Sequence, residues 1–441
     1  MAIHPDRMNL LVTNTRNAQA YSIIRALRPY CDKLVVSMHG SNRLAARLSH
    51  AANSRLVDKR YHVPSPVEDW KAGRIQKENT RREEAYIQTI FEICKKENID
   101  TIFPSFDAHV YVFSKNKKRF ENIGVLITVP DYEAVITPLD KYRTIQAAED
   151  VGFPCPKTYL AENEDDFRRI ASELGFPLVI KRRFTAAGRG MYLVNDLADL
   201  LHKGNLSRRN HETILLQEYI PGRRNDSIAV TLDRKGDLKM VFCRKPLCRL
   251  SRFRRVRMLD SPLSHPYAAD AAKLIQKLGW WGGATVQTIV DSRDQTPKLL
   301  EINPRIGQGL WERIQVGINE PLMILKIARG EDVEAIRDYP VGTVFADPVE
   351  DAVRVGVALA DIVMYRFRIG ILGKEPIDRN NPAMSLKEIY QSLRETYFSG
   401  RRRTSSLYTK YFLQDPKVSI IWWIQNMINR WIQSRPRDLG R

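Results

Sequence analysis

The chain has 441 residues, of which 43% are hydrophobic, and carries 70 lysines and arginines against 51 acids, a formal net charge of +19. That length and composition exclude a disordered chain and a single small core, so two or three domains are expected, while the charge allows nucleic acid, an anionic membrane surface or acidic small substrates without choosing among them. The five cysteines (Cys31, Cys94, Cys155, Cys243, Cys248) form no Cys-x-x-Cys and have no histidine at ligand spacing, which argues against a disulfide framework or a zinc site. The opening MAIHPDRMNLLV has an acid and a proline where a secretory signal has an unbroken apolar core, and no run of 18 apolar residues occurs, so a cytoplasmic protein is expected.

In chain order, Asn9 to Thr13 reads as a strand, followed by a helix to about Leu27 and a strand from Lys33 to Met38. Thr80 to Asn98 is helical, Thr101 to Pro104 is a buried strand, Asp107 to Asn122 is a helix and Gly124 to Thr128 a further strand. Residues 1–130 are therefore expected to form an open parallel α/β domain. The glycine fingerprint of a dinucleotide fold is missing after the first strand, which argues against a nicotinamide cofactor there.

Lys141 opens a helix, and Leu178 to Lys181 is a strand ending in lysine before Arg182-Arg-Phe-Thr-Ala-Ala-Gly188-Arg-Gly190 and a strand from Met191 to Val194. A basic, glycine-containing loop between two strands can fold over phosphates with its backbone N–H groups, the lysine acting as a point charge; hairpin loops also commonly contain glycine. Ile214 to Ile220 is a strand running into Pro221-Gly222, and the backbone of Gln217, Glu218, Tyr219 and Ile220 could read an adenine. Asp226 to Asp233 and Leu238 to Cys243 make a hairpin. Arg244 to Arg257 is the densest arginine cluster of this region, either a solvated face or an electropositive wall for a carboxylate or phosphorylated acceptor, with Arg244 and Arg255 as candidate contacts.

Two strands then follow, Ala284 to Asp291 and Leu299 to Asn303, joined by turn residues from Ser292 to Pro297. A hairpin centred on Asp294 pairs Gln287 with Glu301, and period-two alternation puts Asn303 on the same face as Glu301. Three oxygens at one spot suit a hard cation such as Mg²⁺ or Mn²⁺ whose shell is completed by phosphate oxygens. The plainer reading is the polar face of an ordinary hairpin. Arg305, Gly307 and Gly309 add a cation and a permissive loop ahead of a helical run from Leu310 to Val316, whose N-terminus can bind an anion.

Taken in order, the helix-opening lysine, the strand lysine before a glycine loop, the Gln-Glu-Tyr-Ile stretch, and Gln287 fourteen residues before Glu301-Ile-Asn303-Pro-Arg305 resemble the ATP-grasp superfamily, in its carbamoyl-phosphate-synthetase-like branch. The resemblance covers roughly residues 8–330. It implies a pre-ATP-grasp α/β domain (1–130), a two-lobed α+β ATP-grasp domain (131–335, small lobe about 157–222) and a mainly helical, basic C-terminal extension (336–441). It further implies that Lys141 and Lys181 hold ATP phosphates and that Gly188 and Gly190 close over them. Gln217, Glu218, Tyr219 and Ile220 would bind adenosine, and Asp226 lies where relatives often place an acid. Gln287, Glu301 and Asn303 would hold magnesium, and Arg305 would steady the transferred phosphoryl group. Many relatives carry an acid where this chain has Gln287, so the metal is expected to arrive on the nucleotide. The activity implied is ADP-forming ligation of a small-molecule carboxylate to an amine. The alternatives are a thiol, bicarbonate or protein-tail acceptor, or a non-catalytic ATP-binding or nucleic-acid-associated module.

Beyond about Gly330, Ala352 to Val363 is apolar, Met384 to Thr396 is an amphipathic helix and Arg401 to Arg403 begins a basic tail. Residues 419–432 place Ile420, Ile424, Met427, Ile428 and Trp431 on one helical stripe, too short to span a bilayer. The stripe docks on the body or on a second copy of the chain, or else lies peripherally on an anionic membrane. Nucleic acid is disfavoured, because no zinc-finger, basic-zipper or ribonucleoprotein pattern is present.

Overall fold

The computed structural model describes residues 7–39, 49–66, 75–184, 191–207, 213–251, 254–260, 267–307, 309–348 and 385–404, with parts of 351–363 and 410–425. Gly188 and Gly190 lie outside the described residues, as do the side chains of Asp226 and Arg255.

The first sheet contains β1 (Met8–Thr13), β2 (Cys31–Met38), β3 (Lys59–His62), β4 (Thr101–Pro104) and β5 (Leu126–Ile127) in the order β3-β2-β1-β4-β5, all parallel. Its central strands are almost continuously apolar because helices cover both faces. One face carries α1 (Ala18–Leu27) and the other α2 (Arg81–Glu97) and α3 (Asp107–Glu121). Helix α2 starts where Thr80 and Glu83 form a reciprocal capping box and stops at Asn98, whose φ of 52° turns the chain left-handed. α4 (Tyr132–Leu139) and α5 (Lys141–Asp150) lead out of this domain.

A four-stranded antiparallel sheet follows, built from β6 (Thr158–Ala161), β7 (Leu178–Arg182), β8 (Met191–Val194) and β9 (Ile214–Glu218) in the order β6-β9-β7-β8. It packs on α6 (Glu164–Leu174) and α7 (Leu197–Ser207) around its own core of Phe167, Ile170, Ile180, Leu200 and Leu216. The large sheet comprises β10 (Gly222–Leu232), β11 (Leu238–Ser251), β12 (Arg254–Asp260), β13 (Gly282–Asp291) and β14 (Pro297–Asn303), with α8 (Ala268–Lys277) packed against it. After α9 (Leu310–Gln315) and α10 (Glu320–Arg329), the two short strands β15 (Val344–Phe345) and β16 (Arg403–Thr404) complete its edge in the order β14-β13-β10-β11-β12-β15-β16.

The arginine-rich stretch after Cys243 is not a separate segment but the continuation of β11 and its hairpin with β12. Pro246 hides this in the sequence, and a register shift between Pro246 and Cys248 accommodates it. The C-terminal extension is likewise not only helical. It supplies β16 as well as α11 (Leu386–Tyr397), which is capped by Ser385 and Glu388 and packs over β11. Two-residue strands carry no periodicity, so nothing in the sequence announces them.

The first and large sheets share cores. One runs from Tyr86, Phe113 and Phe120 through Phe153 to Ile228 and Val286, and another joins Leu10, Ile23 and Ile24 to Ile306, Leu310, Ile324 and Val418. The end of β14 is thereby held against the C-terminal ends of β1 and β4.

Candidate functional site

In the β13–β14 hairpin Gln287 stands opposite Glu301 and Thr285 opposite Asn303. On the other side of β13, Gln287 faces Ser227 of β10, and Arg244 of β11 donates to Ser227 Oγ at 2.6 Å. Cross-strand neighbours share a face, so Glu301, Gln287, Ser227 and Arg244 form one polar row across four strands, roughly 14 Å long at ordinary strand spacing. Gln287 Oε1 is buried and accepts no hydrogen bond, a situation that ordinarily costs about 1–3 kcal/mol. Asn303 Oδ1 accepts from an Arg305 terminal nitrogen at 3.1 Å and keeps a second lone pair. The donor set of Gln287, Glu301 and Asn303 is all oxygen, with one acceptor left unused, and fits a hard divalent cation.

Two lysines face this row. Lys181, near the end of β7, is 8% exposed, and Lys141 is the first residue of α5. Burial pulls each ammonium from its ordinary 10.5 down to about 8, opposed in both by the negative charge of Glu301 and, for Lys141, assisted by repulsion from Lys181. Two cations that repel each other beside one carboxylate make a site that a phosphate chain would relieve. Lys141 is held by its neighbour Asp140, which caps Tyr142 N–H at 3.0 Å and grips Arg183 through Nε at 2.8 Å and a terminal nitrogen at 2.6 Å.

The segment after Asn303 lies down on the sheet. A Cβ added at Gly307 would sit 2.0 Å from Thr285 Oγ1, and Gly309, at a φ of 91°, packs against Arg244. These glycines therefore serve close approach to the sheet face. Arg305 is ion-paired through Nε with Asp107 Oδ1 at 2.9 Å and donates to the Ile306 carbonyl at 3.1 Å. Arg244 is 4% exposed and also donates to Glu312.

The Gln217 to Ile220 stretch sits where β9 leaves the four-stranded sheet for β10 in the large one. Gln217 Nε2 donates to Thr158 Oγ1 at 2.7 Å. The Glu218 carboxylate turns toward the β13–β14 turn, meeting Arg293 at 2.5 Å and Lys298 at 3.7 Å. Arg293 and Lys298 also hold Asp291, whose carboxyl they keep well below the usual carboxylate range, Arg293 most strongly. Glu218 thus stands apart from the polar row, its side chain committed to an ion network with Arg293 and Lys298, while the backbone of Tyr219 and Ile220 belongs to no strand.

Lys141, Lys181, Gln287, Glu301, Asn303, Arg305 and Arg244 are brought to one region, and Ser227, Glu312, Asp140 and Asp107 join them unannounced. Asp140 is readable as an N-cap; the other three carry no local signal, because their partners are 60 or more residues away or on strands whose register only the fold sets. Among the described residues no cluster of three or more His, Cys, Asp or Glu side chains could hold a metal, and all five cysteines are free. No helix among the described residues is long and apolar enough to cross a membrane.

Residues 140–336 match the family model described as carbamoyl-phosphate synthase L chain, ATP binding domain, and residues 79–128 match the PylC-like N-terminal domain. The carbamoyl phosphate synthase large chain of Thermotoga neapolitana is 23% identical over 237 residues, which cover 50% of this chain and 22% of that one. The formate-dependent phosphoribosylglycinamide formyltransferase of Bacteroides fragilis is 29% identical over 157 residues, 34% of this chain and 39% of that one. The chain thus spans well under half the length of these curated relatives. Among solved structures, the biotin carboxylase domain dimer of Hydrogenobacter thermophilus 2-oxoglutarate carboxylase, in complex with MgADP, ADP and bicarbonate, superposes with a TM-score of 0.60 at 18% identity, covering 76% of this chain and 73% of that one. N5-carboxyaminoimidazole synthetase from Staphylococcus aureus, complexed with ADP, gives 0.55 at 14% identity, covering 76% and 80%. At these identities the likeness is one of fold.

Proposed function

We propose, from the membership of residues 140–336 in the ATP-grasp superfamily, that this chain is an ADP-forming ligase that activates a small-molecule carboxylate and joins it to an amine. A carboxylate does not react with an amine at neutral pH, since the anion is a poor electrophile and its oxygen a poor leaving group. Transfer of the γ-phosphoryl of ATP to the carboxylate gives ADP and an acyl phosphate; attack by the amine then forms the amide and releases phosphate. The chemistry is mostly positioning and charge compensation.

The residues divide that work. Lys141 and Lys181 bind the phosphates from the α5 and β7 sides, and the Gln217–Ile220 stretch takes the adenosine through its backbone. Gln287, Glu301 and Asn303 would hold Mg²⁺ or Mn²⁺, which when bound supplies neutralisation of the phosphate oxygens. Arg305 steadies the transferred group, and Arg244, at the far end of the row, orients an acidic substrate group with its charge balanced by Glu312. The expected partners are the two small substrates and a second copy of the chain.

The observation that carries this reading is the unused, buried oxygen of Gln287 beside Glu301, facing two lysines that burial makes reluctant to stay charged. The test is ADP release by the purified chain with MgATP, screened against pairs of small carboxylic acids and amines, with thiols and bicarbonate as further acceptors. ADP release that requires one acid and one amine together is expected. Turnover indifferent to every acid, or none at all, would reject the ligase reading.

A further inference from the structure

Asp107 opens α3 directly after β4 and is 4% exposed, yet its carboxylate is not spent inside the N-terminal domain. Its Oδ1 lies 2.9 Å from Nε of Arg305, whose own side chain is 13% exposed. The two terminal nitrogens of the same guanidinium donate to Asn303 Oδ1 and to the Ile306 carbonyl, each at 3.1 Å. A continuous path therefore runs from the C-terminal edge of the first sheet through Asp107 and Arg305 to an oxygen of the metal row.

We propose that Asp107 is a positioning residue that acts through Arg305, fixing its guanidinium so that Asn303 presents its oxygen to the metal and the remaining N–H groups face the transferred phosphoryl. This rests on the ligase reading above. A free arginine samples many rotamers, whereas one whose terminal nitrogens are both hydrogen-bonded and whose Nε lies against a carboxylate, in an ion pair without hydrogen-bond alignment, is held before the nucleotide arrives, the part that groups behind metal ligands commonly play. The negative charge of Asp107 also reaches Lys141, adding to those of Glu301 and Asp140.

The test uses the full chain, Mn²⁺ and ADP, with bound Mn²⁺ read by electron paramagnetic resonance. Asp107→Asn is expected to weaken Mn²⁺ binding at saturating ADP by about tenfold while leaving metal-free ADP affinity undiminished. Arg305→Gln is expected to lose at least as much, and adding Asp107→Asn to it should cost nothing further, because one acts through the other. Asp107→Glu, which keeps the charge but displaces it by one methylene, should show an intermediate loss and decides the matter if Asp107→Asn does not fold. Unchanged Mn²⁺ affinity in the folded variant, or an equal loss in the Arg305→Gln background, overturns the proposal. Wild-type protein that binds no Mn·ADP rejects the ligase reading itself, a result seen before any variant is made.

Discussion

Gln287 and Glu301 face each other across β13 and β14, one neutral and one charged, so a cation between them meets a single formal negative charge from the hairpin. Affinity for free metal should therefore be weak and nucleotide-dependent. Gln287→Glu, which adds a second carboxylate at the same register, is expected to raise affinity for free Mn²⁺ by about tenfold or more. Glu301→Gln is expected to lower ADP formation at least about a hundredfold with the unfolding midpoint little changed. Undiminished turnover in Glu301→Gln would remove the metal assignment.

The hairpin that carries this pair was legible because its signal is local: alternating β-branched residues, a polar turn, and a period of two that puts Glu301 and Asn303 on one face. Four strands of the N-terminal sheet were legible for a similar reason, being short apolar runs separated by capped helices such as Thr80 to Asn98, whereas β3, a polar and largely exposed edge strand of Lys59–His62, gave no such signal. What could not be read was whatever depends on long-range register. Ser227 enters the row only because β10 pairs with β13 at that residue, and the direction of the Glu218 carboxylate is set by Arg293, 75 residues away. Arg244 could be suspected from its arginine-rich surroundings, but its burial and its bond to Glu312 could not. Pro246, a residue that argues against a central strand, obscured one that a bulge keeps intact.

With the two buried lysines on the phosphates, as proposed, nucleotide binding is expected to depend on pH with a definite sign. Their folded pKa values, about 8, lie below the ordinary 10.5, so between these values the unfolded chain binds more protons and stability rises with pH. Below about pH 8 both lysines are charged in both states, and the fold bears the full desolvation penalty. Phosphates favour the charged forms, so ADP binding takes up protons, and affinity should fall as pH rises through 8. Calorimetric titration at about pH 8.5 in buffers of different ionisation enthalpy should show uptake of about one to two protons per ADP. Lys181→Met should reduce that uptake and raise the stability of the nucleotide-free protein; no proton uptake in the wild type would contradict the lysine assignment.

Asp140 joins three jobs at the mouth of the same site: it caps α5, grips Arg183, and is adjacent to Lys141. It is 1% exposed, whereas the Arg183 side chain is 30% exposed and can partly rehydrate when released. Asp140→Ala is therefore expected to cost about 3 kcal/mol, less than a fully buried pair would lose. Asp140→Asn keeps the cap and should recover about 1 kcal/mol of that. Denaturant unfolding of the two variants provides the comparison. Equal losses would mean that the cap contributes nothing beyond the ion pair.

Asp415 settles where the described part of the C-terminal segment lies. It is 1% exposed and accepts from Tyr21 OH at 3.0 Å, Ser54 Oγ at 2.5 Å and Arg55 N–H at 3.0 Å, while the Arg25 guanidinium stacks 3.3 Å from the centre of the Tyr411 ring. Val418 is fully buried and Trp422 packs beside it against the core around α1. Of the apolar stripe expected over 419–432, Ile420 is 45% exposed, and Ile424, Met427, Ile428 and Trp431 lie outside the described residues. The docking at Asp415 is thus a buried polar hub closing onto the first sheet. Removing its carboxylate leaves three donors without their acceptor, so Asp415→Ala should destabilise the protein by about 3–5 kcal/mol. Deleting residues 410–441 should do at least as much and lower the unfolding midpoint without any lipid present. Deleting only 426–441, and comparing both the midpoint and the binding to anionic vesicles with those of the full chain, separates a lipid role for the distal stripe from the docking of the proximal one. An Asp415→Ala variant as stable as the wild type would show that the segment rests on the body without holding it.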